Sequence, residues 1–344
     1  MRSIGLPLVL ATMAAAIGCA SDRALAPTPG PPGLLVPPEL IAAYTEITLP
    51  GRGFVTALND SGDVVGDFSG GILWHGAAHE MISIPIHPRA IANDGTVLGV
   101  IHGHPATWKN GRVTILDTAA SVAFAICKCE SATVIGDVMV NGVSHPAIWV
   151  DGIRIDAGLP PNSFAAAFVA IGGGFVVGNA SFRVPNPNPG TPGDSVEFVE
   201  PYSWSPAGGW ARLRHGPLSD AFISAMNSHG IAVGGTFGTP NPRVIYFDLG
   251  AGTGEQQVPL DPFFPDMRAT GINDSGRISG LGDFFNSDGI TNGNQVALVG
   301  SLSTGVVAAL PPGLTDDASI VGINNAGVIA GNNPTLPVLW IPNP

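Results

Sequence analysis

The residues of this chain that could carry chemistry are few and scattered. It has three cysteines, Cys19, Cys127 and Cys129. Cys127 and Cys129 flank Lys128, a C-x-C spacing that suits either a small disulfide ring in an oxidising compartment or a free pair in an irregular turn. Without histidine partners nearby, two cysteines do not make a zinc site. The eight histidines form no H-E-x-x-H motif, and no G-x-S-x-G nucleophile turn occurs. Asn59, Asp60, Asp94, Asn227, Asn273, Asp274 and Asn324 recur in short turns. Calcium takes about six to eight oxygens, and most of these turns offer one acid or none, so turn geometry accounts for them. A pair of acids for glycoside hydrolysis is brought together by folding rather than spacing, so an enzyme reading stays open. No catalytic residue, cofactor or metal ligand is nominated.

The elements that must position any such group are repeats. One phrase returns seven times: ALNDSGDVVG (57–66), AIANDGTVLG (90–99), AICKCESATVIG (125–136), AIGGGFVVG (170–178), AMNSHGIAVG (225–234), GINDSGRISG (271–280) and GINNAGVIAG (322–331). Recurrence at this period signals stacked copies of one supersecondary unit. In the first copy, FVTAL (54–58) reads as a strand, NDSG as a hairpin turn, DVVGDF (63–68) as a second strand, GILW (71–74) as a third and HEMISI (79–84) as a fourth. Four short strands over about 40 residues make a propeller blade. The Gly and Pro counts, 47 and 32, argue against helices. The last copy ends after PVLW (337–340), and the first is preceded by a spare strand, YTEITL (44–49). The expected fold is therefore an all-β, seven-bladed β-propeller over residues 41–344, closed by the N-terminal strand completing the C-terminal blade. Trp74, Trp108, Trp149, Trp204 and Trp340 recur at one place in the third strand, as a packing layer requires. Tyr246 is expected in that place in the fifth copy and an aliphatic residue of QVALV (295–299) in the sixth. Trp210 lies outside the register.

The phrase I-N-D-x-G-x-V-V-G followed by A-x-x-W resembles the HAF-type extracellular repeat of bacterial secreted proteins. GINDSGRISG and ALNDSGDVVG match it best, and the resemblance covers about residues 44–341. Cys127-Lys128-Cys129 and Gly172-Gly173 depart from it. The resemblance implies an extracellular β-rich repeat protein and brings no catalytic residue with it.

Residues 1–18 read as a signal peptide, with Arg2 ahead of an uncharged run from Ile4 to Ile17. AIGC (16–19) resembles the lipobox of bacterial lipoproteins, with Ala16 where leucine is usual, and this implies lipid attachment at Cys19. Residues 19–40, including APTPGPPGLLVPP, form an extended Pro-rich tether. Ala20 and Ser21 after the cysteine favour the outer membrane, by the same resemblance. A formal charge of −12 repels phosphate backbones and argues against nucleic acid.

Loop length breaks the regularity. The stretches 181–201, 237–243 and 281–294 lengthen the connections between second and third strands, all on one face of the disc. Long loops on a rigid scaffold are where binding sits. Phe182, Phe198, Phe284 and Phe285 in these loops are expected to be exposed, and with Tyr202 they are the candidate partner-binding residues. The reading is a monomeric, envelope-anchored binding or scaffolding module for a surface protein or glycan. The alternative is a polysaccharide-active lyase or glycoside hydrolase using the same face.

Overall fold

A computed structural model describes residues 42–344, apart from 68–69, 77–78, 120, 129–132, 186–194, 216–219, 238–242, 260–265, 286–290, 306–307, 312–318 and 334–335. The signal segment 1–18, the tether 19–40, Cys19 and Cys129 lie outside the described residues. Every regular element among the described residues is a strand. β1 is Tyr44–Thr48. Blade 1 follows as β2 (Phe54–Leu58), β3 (Val64–Asp67), β4 (Gly71–His75) and β5 (Glu80–Ile84). Blade 2 is β6 (His87–Ile91), β7 (Val97–Ile101), β8 (His104–Lys109) and β9 (Arg112–Ile115). Blade 3 is β10 (Ser121–Ile126), β11 (Val134–Val140), β12 (Val143–Val150) and β13 (Ile153–Asp156). Blade 4 is β14 (Ala165–Gly172), β15 (Phe175–Pro185), β16 (Ser195–Ser205) and β17 (Gly209–Arg212). Blade 5 is β18 (Asp220–Met226), β19 (Ile231–Phe237), β20 (Val244–Asp248) and β21 (Gln256–Gln257). Blade 6 is β22 (Asp266–Ile272), β23 (Arg277–Phe285), β24 (Thr291–Ser301) and β25 (Ala308–Ala309). Blade 7 is β26 (Ser319–Ile323), β27 (Ile329–Asn333) and β28 (Leu336–Pro342).

Each blade is an antiparallel four-stranded sheet, and in the seventh the fourth strand is β1. β1 runs antiparallel to β28 with Tyr44 opposite Pro342 and Thr48 opposite Val338. The innermost strands touch in an unbroken cycle, β2, β6, β10, β14, β18, β22, β26 and back to β2. The seven sheets therefore form a ring around a central axis, a seven-bladed β-propeller.

The repeated phrase has a physical cause at each end. The turn glycine (Gly62 and Gly327, for example) has φ of +84 and +81, a region that side chains with a Cβ rarely enter. The closing glycine answers a different constraint. In all seven blades the innermost strand carries a register shift opposite it, such as Val55/Ala57 in blade 1 and Ile320/Gly322 in blade 7. The shift aims a carbonyl at that glycine. A Cβ on Gly66 would press into the carbonyl oxygen of Phe54 and lie 2.8 Å from the Trp74 ring. On Gly331 it would press into that of Ser319 and lie 2.9 Å from Trp340. The sequence thus repeats a β-bulge together with the residue that makes room for it.

Four of the five expected layer tryptophans are buried, and Trp108 is half-buried against the blade 1–blade 2 core. Trp74, Trp149, Trp204 and Trp340 are buried between blades, and Trp74 Nε1–H donates to the Pro50 carbonyl at 2.9 Å. Two assignments need correction. In blade 5 the residue paired opposite Ala232, the counterpart of Val64 opposite Trp74, is Phe247 rather than Tyr246. Phe247 is fully buried and Tyr246 half-buried. The insertion at 237–243 hides the register, and a slip of one residue exchanges the faces. In blade 6 the same place holds Gly300, opposite Ile278, not an aliphatic side chain.

Candidate functional site

The turns between first and second strands form one rim of the ring. In four of them the leading asparagine makes two kinds of bond. The Asn59 amide oxygen accepts the Asp63 N–H at 2.8 Å, closing its own turn, while its Nδ2 donates to the Ala92 carbonyl of blade 2 at 3.1 Å. Asn227 reaches Asn273 of blade 6, Asn273 reaches Asn324 of blade 7, and Asn324 reaches Asn59 of blade 1, at 3.1, 3.0 and 3.2 Å. All four are buried. The next residue makes a second belt. Ser228 N–H donates to Asp274, Asp274 N–H to Asn325, Asn325 N–H to Asp60, and Asp60 N–H to Asn93. Turn chemistry alone explains the Asn or Asp in five of the seven copies; the links from blade to blade were not legible without the ring.

Blades 3 and 4 interrupt both belts. Gly172 and Gly173 leave no side chain, because the backbone of the blade 5 turn occupies that space: a Cβ on Gly173 would lie 2.5 Å from Gly230 N. Blade 3 places Lys128 at the second position. Its ammonium feels the charges of Asp60 on blade 1 and Asp274 on blade 6. Lys128 keeps contact with solvent, but the surrounding wall desolvates it and holds it below the usual lysine range, against the opposing pull of those two acids. Burial would raise Asp274, and the bonds from Ser228 and Asn325 outweigh it, so Asp274 stays below the ordinary carboxylate range. Asp94 is likewise held low, where bonds from Lys109 and Thr96 overcome burial. These acids are hydrogen-bonded carboxylates built into the rim, unsuited to donating protons. Cys127, next to Lys128, is disulfide-bonded.

The opposite face carries the long connections. In blade 4, β15 and β16 run for 11 residues each, against 4 and 5 for their counterparts in blade 1. The expected exposure of the loop aromatics is overturned here. Phe182 and Tyr202 are buried, both 8% exposed, and Phe198 is half-buried. The reason is that the segment continues the sheet. Phe182 stands opposite Phe198 in the ladder and stacks on it, with ring centres 5.3 Å apart, and lies 6.0 Å from Tyr202. Tyr202 in turn meets Trp210 edge-on at 6.2 Å. Trp210 stacks on Phe168 at 5.0 Å and donates its indole N–H to the Ala157 carbonyl at 3.0 Å, so it belongs to the core. Beyond this ladder, Arg183 pairs with Glu197 and lies over the Phe164 ring, and the next cross-strand pair, Val184 and Val196, is exposed at 41% and 43%. In blade 6, Phe284 and Phe285 close β23, and their side chains lie outside the described residues.

At the base of this hairpin the buried Glu200 is paired with Arg212, and the buried His215 ring lies 3.8 Å from the same carboxylate. Arg212 sits on the outermost strand, so this group is peripheral to the ring axis. Another spacing escapes a reading based on helical motifs: His75 and His79 stand four apart. They flank the outer hairpin turn of blade 1, where His75 bonds Asp63 at 2.8 Å. Among the described residues no three His, Cys, Asp or Glu side chains are grouped to hold a metal.

These features define a seven-bladed propeller with a hydrogen-bonded rim on one face and projecting hairpins on the other. No protein-family model and no curated protein sequence matches the chain. Solved structures resemble it in fold alone. The tricorn protease matches at a TM-score of 0.50 and 10% identity, over 85% of this chain and 34% of that one. A putative TolB from Agrobacterium tumefaciens matches at 0.46 and 11%, over 77% and 95% of the two chains. A putative gluconolactonase matches at 0.40 and 12%, over 90% and 97%.

Proposed function

We propose that the chain is a binding or scaffolding module of a bacterial envelope, lipid-anchored at Cys19 and held off the membrane by the tether 19–40, with a surface protein or glycan as its partner. The blade 4 hairpin is the recognition element. One observation carries this reading: the exposed Val184–Val196 pair is mounted on a stacked aromatic ladder, so an apolar pair is held to solvent by a packed base. The polysaccharide-active alternative has less to rest on. Asp94 and Asp274 on the rim are held as carboxylates, and among the described residues the buried acids with a histidine beside them are already committed: Glu200 is tied to Arg212 away from the axis, and Asp63 accepts from Asn59 and from the Gly76 N–H in the blade 1 turn.

The test is affinity capture from native envelopes with the wild-type protein and with Val184→Ser combined with Val196→Ser, which leaves the aromatic ladder in place. The reading requires partners lost with the double variant and regained with the wild type. Identical partner sets from both proteins would refute it.

A further inference from the structure

In blades 7 and 4 the residue after the closing glycine clamps the next blade. In blade 7 this is Asn332, buried, whose amide oxygen accepts the Val55 N–H at 2.8 Å and whose Nδ2 donates to the Val55 carbonyl at 3.4 Å. In blade 4 it is Asn179, which makes the same two bonds to Ile223 N–H and C=O, both at 2.8 Å. An amide suits this task because it presents a donor and an acceptor side by side, matching one residue's backbone.

In blade 3 the position holds Asp137. The correspondence follows from register. Asn179, Asn332 and Asp137 each stand opposite a proline of the third strand, Pro201, Pro337 and Pro146. Val55 and Ile223 stand opposite the closing glycines Gly66 and Gly234, and their counterpart in blade 4 is Phe168, opposite Gly178. Asp137 is 5% exposed. One oxygen accepts the Ser144 hydroxyl at 3.3 Å, and the other, Oδ1, is buried with no hydrogen-bond partner. A carboxylate cannot donate to a carbonyl, and Asp137 makes neither of the two bonds to Phe168 here, so this seam stands unclamped.

We propose that Asp137 is a proton-operated clamp on the seam between blades 3 and 4. With a proton taken from solvent, its hydroxyl donates to the Phe168 carbonyl while its other oxygen accepts the Phe168 N–H, as the amides do at the other two seams. When that proton returns to solvent the donor is lost and the seam loosens. Burial pushes the Asp137 carboxyl up to about 7, with the Ser144 bond opposing. Among the described residues, the strands packed against it bring no other charge to it. β10 and β14 carry no ionisable side chain, and β12 carries only His145, which faces Asp156 on β13 at 3.1 Å. The switch therefore acts near neutral pH. The seam is tightest at acidic pH and loosens as pH rises through about 7, because the folded state then gives up a proton that the unfolded chain releases near pH 4.

Hydrogen exchange of the segment 164–170, corrected for intrinsic rates, tests the clamp at pH 5.5 and 8.5 in the wild type and in Asp137→Asn. Protection in the wild type should fall at least tenfold at the higher pH, and in Asp137→Asn it should stay high at both. An equal response in the two proteins, or lower protection in Asp137→Asn at pH 5.5, overturns the proposal. If the variant does not fold, carboxyl titration of the wild type by NMR decides. A midpoint between 6 and 8 is the expected result, and one below 5 sinks the idea.

Discussion

Asn324→Ala is the sharpest perturbation of the rim. Asn324 is 1% exposed, its amide oxygen accepts the Val328 N–H at 2.9 Å, and its Nδ2 donates to the Asn59 carbonyl at 3.2 Å. Alanine strips both bonds from a place that water does not readily fill. The half-buried Val328 N–H loses its side-chain acceptor, at a cost of about 1–3 kcal/mol, the upper end applying only if water cannot reach it. The Asn59 carbonyl still receives Gly62 N–H at 3.3 Å, so it forfeits only the net value of one bond, about 1 kcal/mol. The expected loss is roughly 2–4 kcal/mol. Asn325→Ala is the control. That residue is exposed, and water replaces its bonds to Asp274, so the loss should stay within about 1 kcal/mol. Urea unfolding followed by the fluorescence of buried Trp74, Trp149, Trp204 and Trp340 measures both. If Asn324→Ala unfolds within about 0.5 kcal/mol of Asn325→Ala, the asparagine belt does not hold blade 7 to blade 1, and the argument from its geometry is wrong.

Other outcomes follow from the same geometry. Gly331→Ala sets a Cβ against a backbone carbonyl and a buried tryptophan ring, and should cost about 2–3 kcal/mol by overpacking, read as a lowered urea midpoint. Deleting residues 42–49 removes the buried Tyr44 and Leu49 and bares the β28 edge. It should cost roughly 4–6 kcal/mol and promote association, visible by light scattering. Phe182→Ala should cost about 3 kcal/mol, whereas Val184→Ser with Val196→Ser should leave the thermal midpoint nearly unchanged, separating ladder from tip.

The propeller was legible because its constraints are local and recur seven times. A closing glycine facing a bulged carbonyl recurs in all seven copies, and a turn glycine at positive φ in every copy but the third. What depends on neighbours was not legible. Phe247 rather than Tyr246 faces the core because an insertion displaced the count by one. Phe182 and Tyr202 looked like loop residues because proline and glycine between them broke the strand pattern, yet the flanking residues continue the ladder. Asn59 and Asn324 read as turn formers; their second bond needs a partner blade that the sequence does not place. The role of Asp137 required three seams to be laid side by side.

The central functional claim is that the blade 4 tip meets the partner. A photo-crosslinking phenylalanine analogue placed at position 184, in cells, tests it most directly. Position 153 on the outermost strand of blade 3 serves as the comparison, because Ile153 is more exposed than Val184. The account predicts a discrete adduct from 184 and none from 153. No adduct at 184, or the same products from both positions, would contradict it.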